Sequence, residues 1–140
     1  MVLSYQNAKT VSVVVSDPTA DLSLPIWRVP AQVTKIEILE AFICTDTTLA
    51  AGTQHGLMAS LLDGGTAGTG TTAFTNVLGG TDAGGTFPAW TASIPQSWTI
   101  SDGTLDAGDY VVYKHDESLL GTVAMLNVVI WFAYVDGVGA

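Results

Sequence analysis

Basic side chains are the scarcest resource of this chain: among 140 residues only Lys9, Arg28, Lys35 and Lys114 carry positive charge, against thirteen acids, for a formal net charge of −9. Nucleic-acid affinity rests on clustered Lys and Arg, so a phosphate backbone is repelled and no nucleic-acid partner is expected. Anionic membrane surfaces are disfavoured by the same argument. The longest uninterrupted apolar run, Val128 to Val135, is far short of the roughly 20 residues of a spanning helix, so no membrane partner is expected either. Cys44 is the only cysteine, which excludes an intrachain disulfide and reads as a small buried thiol. Met1 to Thr10 holds no basic segment followed by an apolar stretch, so synthesis and use without a secretory signal is the expectation.

The catalytic vocabulary is equally thin. There is no Gly-x-Ser-x-Gly elbow, no Gly-x-x-x-x-Gly-Lys loop and no Cys-x-x-Cys pair, so hydrolase, nucleotide and redox chemistries lack their minimal parts. His55 and His115 are isolated from one another and from any metal-binding spacing, and are expected at the surface or partly buried. Glu37 and Glu40, three residues apart, would point to opposite faces of a regular strand and could not flank one sugar. Asp102, Asp106 and Asp109 share a Gly-containing loop and could offer oxygens to Ca²⁺, but their spacing is not that of an EF-hand and turn formation explains them. No catalytic residue, cofactor or metal is therefore assigned, and the chain is not read as an enzyme.

What is present is turn chemistry and short apolar segments. Charged residues make up 12% of the chain and apolar residues 48%, so the surface must be built from Thr, Ser, Gly, Ala and exposed apolar groups, which points to contacts with other subunits. The length suits one domain, 1–140, with a short arm at 1–8. Thr10 to Ser16 is β-branched and ends at Asp17-Pro18; Leu22 to Val29 holds Pro25 and precedes Pro30, which places it at a sheet edge. Val33 to Asp46 is ambiguous. As a helix it would align Val33, Ile36, Leu39 or Glu40, and Ile43; as a strand it would set Ile36, Ile38 and Phe42 on one face and Val33, Leu39, Ala41 and Ile43 on the other. The strand is preferred, because the segment follows Pro30, lacks a capping box and is rich in isoleucine.

Further strands are expected over His55 to Asp63, Thr72 to Leu78, Phe87 to Ile94, Ser97 to Ile100 and Tyr110 to His115. The first two end at Asp63-Gly64-Gly65 and Gly79-Gly80, and a Thr/Gly-rich connection joins them. The stretch from Thr122 to Val135, dense in Val, Ile, Trp, Phe and Tyr, suits a central strand buried on both faces. Eight or so strands and no convincing helix make an all-β antiparallel sandwich or barrel.

The succession Val33-Thr34-Lys35-Ile36-Glu37-Ile38, Leu61-Leu62-Asp63-Gly64-Gly65-Thr66-Ala67-Gly68-Thr69-Gly70-Thr71-Thr72, Thr104-Leu105-Asp106-Ala107-Gly108-Asp109-Tyr110 and Gly121-Thr122-Val123 with a closing aromatic strand resembles the jelly-roll decoration and head-fibre proteins of tailed-phage capsids. The resemblance runs from about Val29 to Val135 and rests on turn motifs. It implies a jelly roll, where strand number alone also allows an immunoglobulin-like sandwich. It further implies a structural virion protein that binds the outer capsid surface as a homotrimer, contacts the major capsid protein and stabilises the shell. Expected partner contacts are Leu3 and Tyr5, anchoring the arm, and the aromatics Trp27, Phe87 and Trp90, which stand beside prolines or glycines. The alternative is a carbohydrate-binding or adhesin-like module in which Trp90, Trp98 or Tyr113 would stack on sugars.

Overall fold

The computed structural model describes residues 8–16, 22–48, 56–78, 90–118 and 125–135, without the side chains of 56–58 and 116–118. Its strands are β1 (Lys9–Ser16), β2 (Leu22–Arg28), β3 (Lys35–Thr45), β4 (Gly56–Asp63), β5 (Thr72–Ala73), β6 (Gln96–Ser97), β7 (Thr104–Asp106), β8 (Tyr110–Ser118) and β9 (Met125–Tyr134). There is no helix among the described residues.

The strands form two antiparallel sheets, β1-β9-β3-β6 with β7 also on β3, and β2-β8-β4-β5. The pairing has a simple logic. β1 pairs with β9, β2 with β8, β3 with β6 and β7, and β4 with β5, so the chain is one long hairpin whose second half retraces the first. Rolling that ribbon brings β9 onto β3 and β8 onto β4, which completes both sheets. This is the jelly roll. An immunoglobulin-like sandwich sets several consecutive strands side by side, whereas here β4 and β5 are the one consecutive pair that does so among the described strands.

The core lies between the sheets. Val15, Ile36, Ile38, Ala41, Ile43, Leu126, Val128, Ile130 and Phe132 face inward from the first sheet, and Ala59, Leu61, Val111 and Tyr113 from the second. β9 alternates buried and half-buried residues along most of its length, so it is buried on one face and partly covered on the other, not enclosed on both.

β3 departs from the expected alternation. Ile38 stands opposite Phe132 and Glu40 opposite Trp131, which leaves Leu39 as the extra residue of a β-bulge. The bulge shifts the phase by one. Ile36 and Ile38 before it and Ala41 and Ile43 after it all face the core, while Phe42, expected beside Ile36 and Ile38, is half-buried on the opposite face. Glu37 and Glu40, expected on opposite faces, consequently share the outer one.

The later strands are shorter than their composition suggests. Thr72 to Leu78 is a two-residue strand followed by isolated bridges from Thr75 to Ile100 and from Leu78 to Ala59. Between Trp90 and Ile100 only β6 is a strand, and β7 was not anticipated. The arm through Asn7, together with His55 and Phe87, lies outside the described residues.

Candidate interaction surface

The outer face of the first sheet carries large apolar side chains among its polar ones, where alternation would ordinarily put polar groups alone. Antiparallel register sets Ser12, Val129, Phe42 and Ser97 in one row, Val14, Asn127 and Cys44 in the next, and Thr10, Trp131 and Glu40 in a third. Val14 is 56% exposed and Met125 50% exposed, and Phe42, Cys44, Val129 and Trp131 are half-buried. Cys44, expected as a buried thiol, therefore sits on this outer face.

At one end of the face is an open depression of about 320 Å³ lined by Val14, Cys44, Thr45, Asp46, Ser93, Met125 and Asn127. Ser93 closes it in a left-handed conformation, φ 62°, with its N–H donating to the Thr45 carbonyl at 2.9 Å. The Ser12 hydroxyl donates to Asn127 Oδ1 at 3.0 Å, tying β1 to β9 across the surface. Asp46 puts one carboxylate at this end, and further carboxylates stand towards the other, where Glu37 Oε2 accepts from the Thr104 hydroxyl at 2.6 Å.

The outer face of the second sheet is finished differently. Its exposed row holds Ser23 and Lys114 beside the buried Ser60. Its apolar row, Val112 and Leu62, is 2% and 6% exposed. The turn at 64–70 lies over Val112: a Cβ on Gly64 would come within 2.5 Å of Val112 Cγ2, so only a glycine lets the backbone rest there. Gly64 N–H donates to the Tyr110 carbonyl at 2.8 Å, Tyr110 N–H to Gly65 at 2.9 Å and Gly70 N–H to Gly64 at 2.8 Å, which fixes the turn as a lid. Asp63 Oδ1 accepts from Gly65 N–H at 2.8 Å and starts the turn. The Asp-Gly-Gly signal is therefore cover for apolar surface as well as a chain reversal.

The aromatics singled out from the sequence are dispersed. Trp27 is half-buried with its ring 4.7 Å from that of Phe132, at 40°. Trp90 is 1% exposed and belongs to the core, with no acceptor for its Nε1 hydrogen among the described residues. Trp98 is 4% exposed, its Nε1 donating to the Ala59 carbonyl at 2.9 Å, and Tyr113 is fully buried. The rings proposed to stack on sugars, Trp90, Trp98 and Tyr113, thus present no surface, because each is spent on the core. Leu3, Tyr5 and Phe87 lie outside the described residues. The half-buried aromatics on the outer face of the first sheet are instead Trp131 and Phe42. Alternation with Ile130 and Phe132 is the signal that finds Trp131, which the expectation of a strand buried on both faces passed over; Phe42 was hidden by the bulge.

Several titratable groups make contacts that hold the fold. His115 is fully buried, against the expectation of a surface or partly buried ring, with Nδ1 3.1 Å from the Tyr113 hydroxyl. Asp102 Oδ1 accepts from Thr104 N–H at 3.3 Å and Asp109 Oδ2 from Asp106 N–H at 3.1 Å, so these aspartates close turns. No group of three or more His, Cys, Asp or Glu able to hold a metal occurs among the described residues. Desolvation, with smaller contributions from the charges of Asp63 and Asp106, pushes the Asp109 carboxyl above its ordinary range, partly offset by the Asp106 N–H bond. Arg28 Nε donates to the Gly108 carbonyl at 3.1 Å, and its guanidinium lies 5.6 Å from the Tyr110 ring centre.

No protein-family model matches the chain, and no curated protein matches it. Among solved structures it is similar to a chain of the cyanophage Pam1 capsid asymmetric unit, with a TM-score of 0.53 and 13% identity over 90% of this chain and 84% of that one. A match to the infectious bursal disease virus Gx strain has a TM-score of 0.26 and 8% identity over 93% of this chain and 37% of that one. At this identity the Pam1 likeness is one of fold, and it agrees with the strand order: the chain is a jelly roll of the kind found in a viral capsid structure.

Proposed function

We propose that this chain is a structural protein of a virion, a decoration subunit that binds the outer capsid surface as a trimer and stabilises the shell. The observation that carries this reading is the apolar patch on the outer face of the first sheet, Phe42, Val129 and Trp131, with Met125 exposed at the rim of the depression. The chain covers its other sheet with the turn at 64–70 and has no such cover here among the described residues. Contiguous apolar surface left open on a small domain is the ordinary mark of a protein interface. The fold likeness to a chain of a phage capsid structure, spanning most of both chains, supports the same setting.

In this reading the apolar face lies on the major capsid protein. Burial contributes about 25 cal/mol per Å² of apolar area, and a trimer engages several shell subunits at once, so weak contacts are multiplied by avidity. Leu3 and Tyr5 of the arm and Phe87 add contacts, while Trp27 and Trp90 act from within by packing. The acidic surface suits the outside of a particle filled with polyanion. No chemistry is required of any residue.

Quantitative mass spectrometry of density-purified particles tests the reading. A fixed ratio to the major shell protein, in multiples of three copies per site, is the expected result. Absence of the chain from particles overturns it.

A further inference from the structure

The edges of the two sheets are not alike. β2, at the edge of the second sheet, contains Pro25, which has no N–H to offer, and its register to β8 slips between Pro25 and Trp27. Both are devices that blunt a strand edge against pairing. β5, β6 and β7 are only two or three residues long. β1 has none of these protections. It pairs with β9 residue for residue from Lys9↔Phe132 to Ser16↔Met125, without bulge or proline, and no strand pairs with its other edge among the described residues.

The side chains on that edge are also unfinished. Val15 is 3% exposed, but Val11 and Val13, which share its inward face, are only half-buried. One more strand beside β1 would cover them.

The sequence of β1 indicates what that strand is. Read outwards from Val13, Ser12 matches Val14, Val11 matches Val15 and Thr10 matches Ser16. In an antiparallel pair, directly opposed residues share a face, so a second β1 laid across a two-fold axis at Val13 sets valine on valine inside and small side chains on small ones outside. Thr10 to Ser16 also holds no ionisable side chain. In a chain of net charge −9, this is a stretch where two copies meet without opposing like charges.

We propose that β1 is a self-pairing edge, through which two copies of this chain join antiparallel about Val13 and run their first sheets together as one. An eight-residue edge buries less than the roughly 800 Å² per partner of a standard interface, so the dimer is weak, with a dissociation constant on the order of micromolar or above. The contact is separate from the capsid trimer proposed above: absence from virus particles overturns that reading and leaves this one standing.

Two sets of variants test the register. In a Cys44→Ala background, Val13→Cys places two thiols on the axis with Cα atoms about 4.5 to 5.5 Å apart, within disulfide reach, whereas Thr10→Cys places them about 20 Å apart. Mild oxidation should cross-link the first and not the second. On the outer face, Ser12→Lys with Val14→Lys opposes like charges twice across the axis, and Ser12→Lys with Val14→Glu opposes unlike charges at the same positions. Sedimentation should show the first pair of substitutions dimerising at least about tenfold more weakly than the second, with circular dichroism confirming that both are folded. A wild-type chain still monomeric at about 1 mM, equal cross-linking at both cysteine positions, or indifference to the charge pattern would each overturn the proposal.

Discussion

The Tyr113 hydroxyl lies 3.1 Å from Nδ1 of His115, and both side chains are fully buried between the sheets. Their rings meet edge to face with centres 5.4 Å apart. Two polar groups in an apolar core are tolerable because they are hydrogen-bonded, and here two inward residues of one strand satisfy each other.

That pair gives the fold an alkaline limit. Burial pushes the Tyr113 phenol well above its ordinary value of 10.0. Below that pH the phenol is neutral folded or unfolded; above it the unfolded chain ionises first, so the stability this residue contributes is lost as pH rises. The slope is up to about 1.4 kcal/mol per pH unit. Chemical denaturation across this range should show the fall. Tyr113→Phe should lose about 1 kcal/mol at neutral pH and flatten the alkaline decline; an unchanged decline would contradict the assignment.

Asp109 behaves in the same sense at the acid end. Its carboxyl is held above 3.8, mainly by burial, so ionisation at neutral pH works against the folded state. The stability tied to the protonated form is full below 3.8 and lost as pH rises through the elevated value. Asp109→Asn retains an oxygen to accept the Asp106 N–H bond and should be at least as stable as the wild type at neutral pH, with the difference vanishing in acid. Paired thermal melts at the two pH values check this.

The bulge makes an unusual deletion tolerable. Leu39 has no partner on β9, and the core positions Ile36, Ile38, Ala41 and Ile43 would alternate regularly without it. Deleting Leu39 should leave a folded chain, with a melting temperature lowered by roughly 3 to 6 °C for the lost side-chain packing. Deleting Phe42 should abolish folding, because it turns Ile43 outward. Equal damage from both deletions would mean that the phase shift is not what matters in β3.

That residue also marks where the sequence stops being readable. Strand existence followed from composition, because β-branched and aromatic runs between turn residues have few other uses: β1, β2, β3, β8 and β9 stand close to where they were expected. Sheet order does not follow from such local signals, and only the turn motifs hinted at the roll. Within β3 nothing local announces the extra residue; the bulge lies just past the stretch that pairs with β9 and β7 at once, and it overturned the faces of Phe42, Glu37 and Glu40. The interaction surface was legible only as a shortage of charge. Trp90, expected at a partner contact, and Trp98, a sugar platform only in the alternative reading, both fill the core between short strands that have few large apolar side chains of their own.

The lid over Val112 depends on one missing methyl. Gly64→Ala would drive a Cβ to within 2.5 Å of Val112 Cγ2, and neither the β-ladder beneath nor the turn above can easily shift. The variant should lose about 1 to 3 kcal/mol in chemical denaturation. Val112→Ala alone should also destabilise, by emptying space under the lid. Combined, the two should cost less than their sum, because each relieves the other. Additive losses would show that the turn does not rest on Val112.

The two outer faces should respond differently to charge. Met125 is half exposed at the rim of the depression on the first sheet, and Ser23 is exposed on the second. Neither contributes to the core, so Met125→Glu and Ser23→Glu should both change stability by less than about 0.5 kcal/mol. Bound to a shell through the first sheet, the Met125→Glu chain would bury an unpaired carboxylate at the contact and lose occupancy at least about tenfold, while Ser23→Glu would bind as the wild type does. Binding of purified variants to stripped particles, read by co-sedimentation, separates the faces. Loss at Ser23 with no effect at Met125 would move the contact to the second sheet, where the turn at 64–70 and not the apolar rows of β9 and β3 would then carry the recognition.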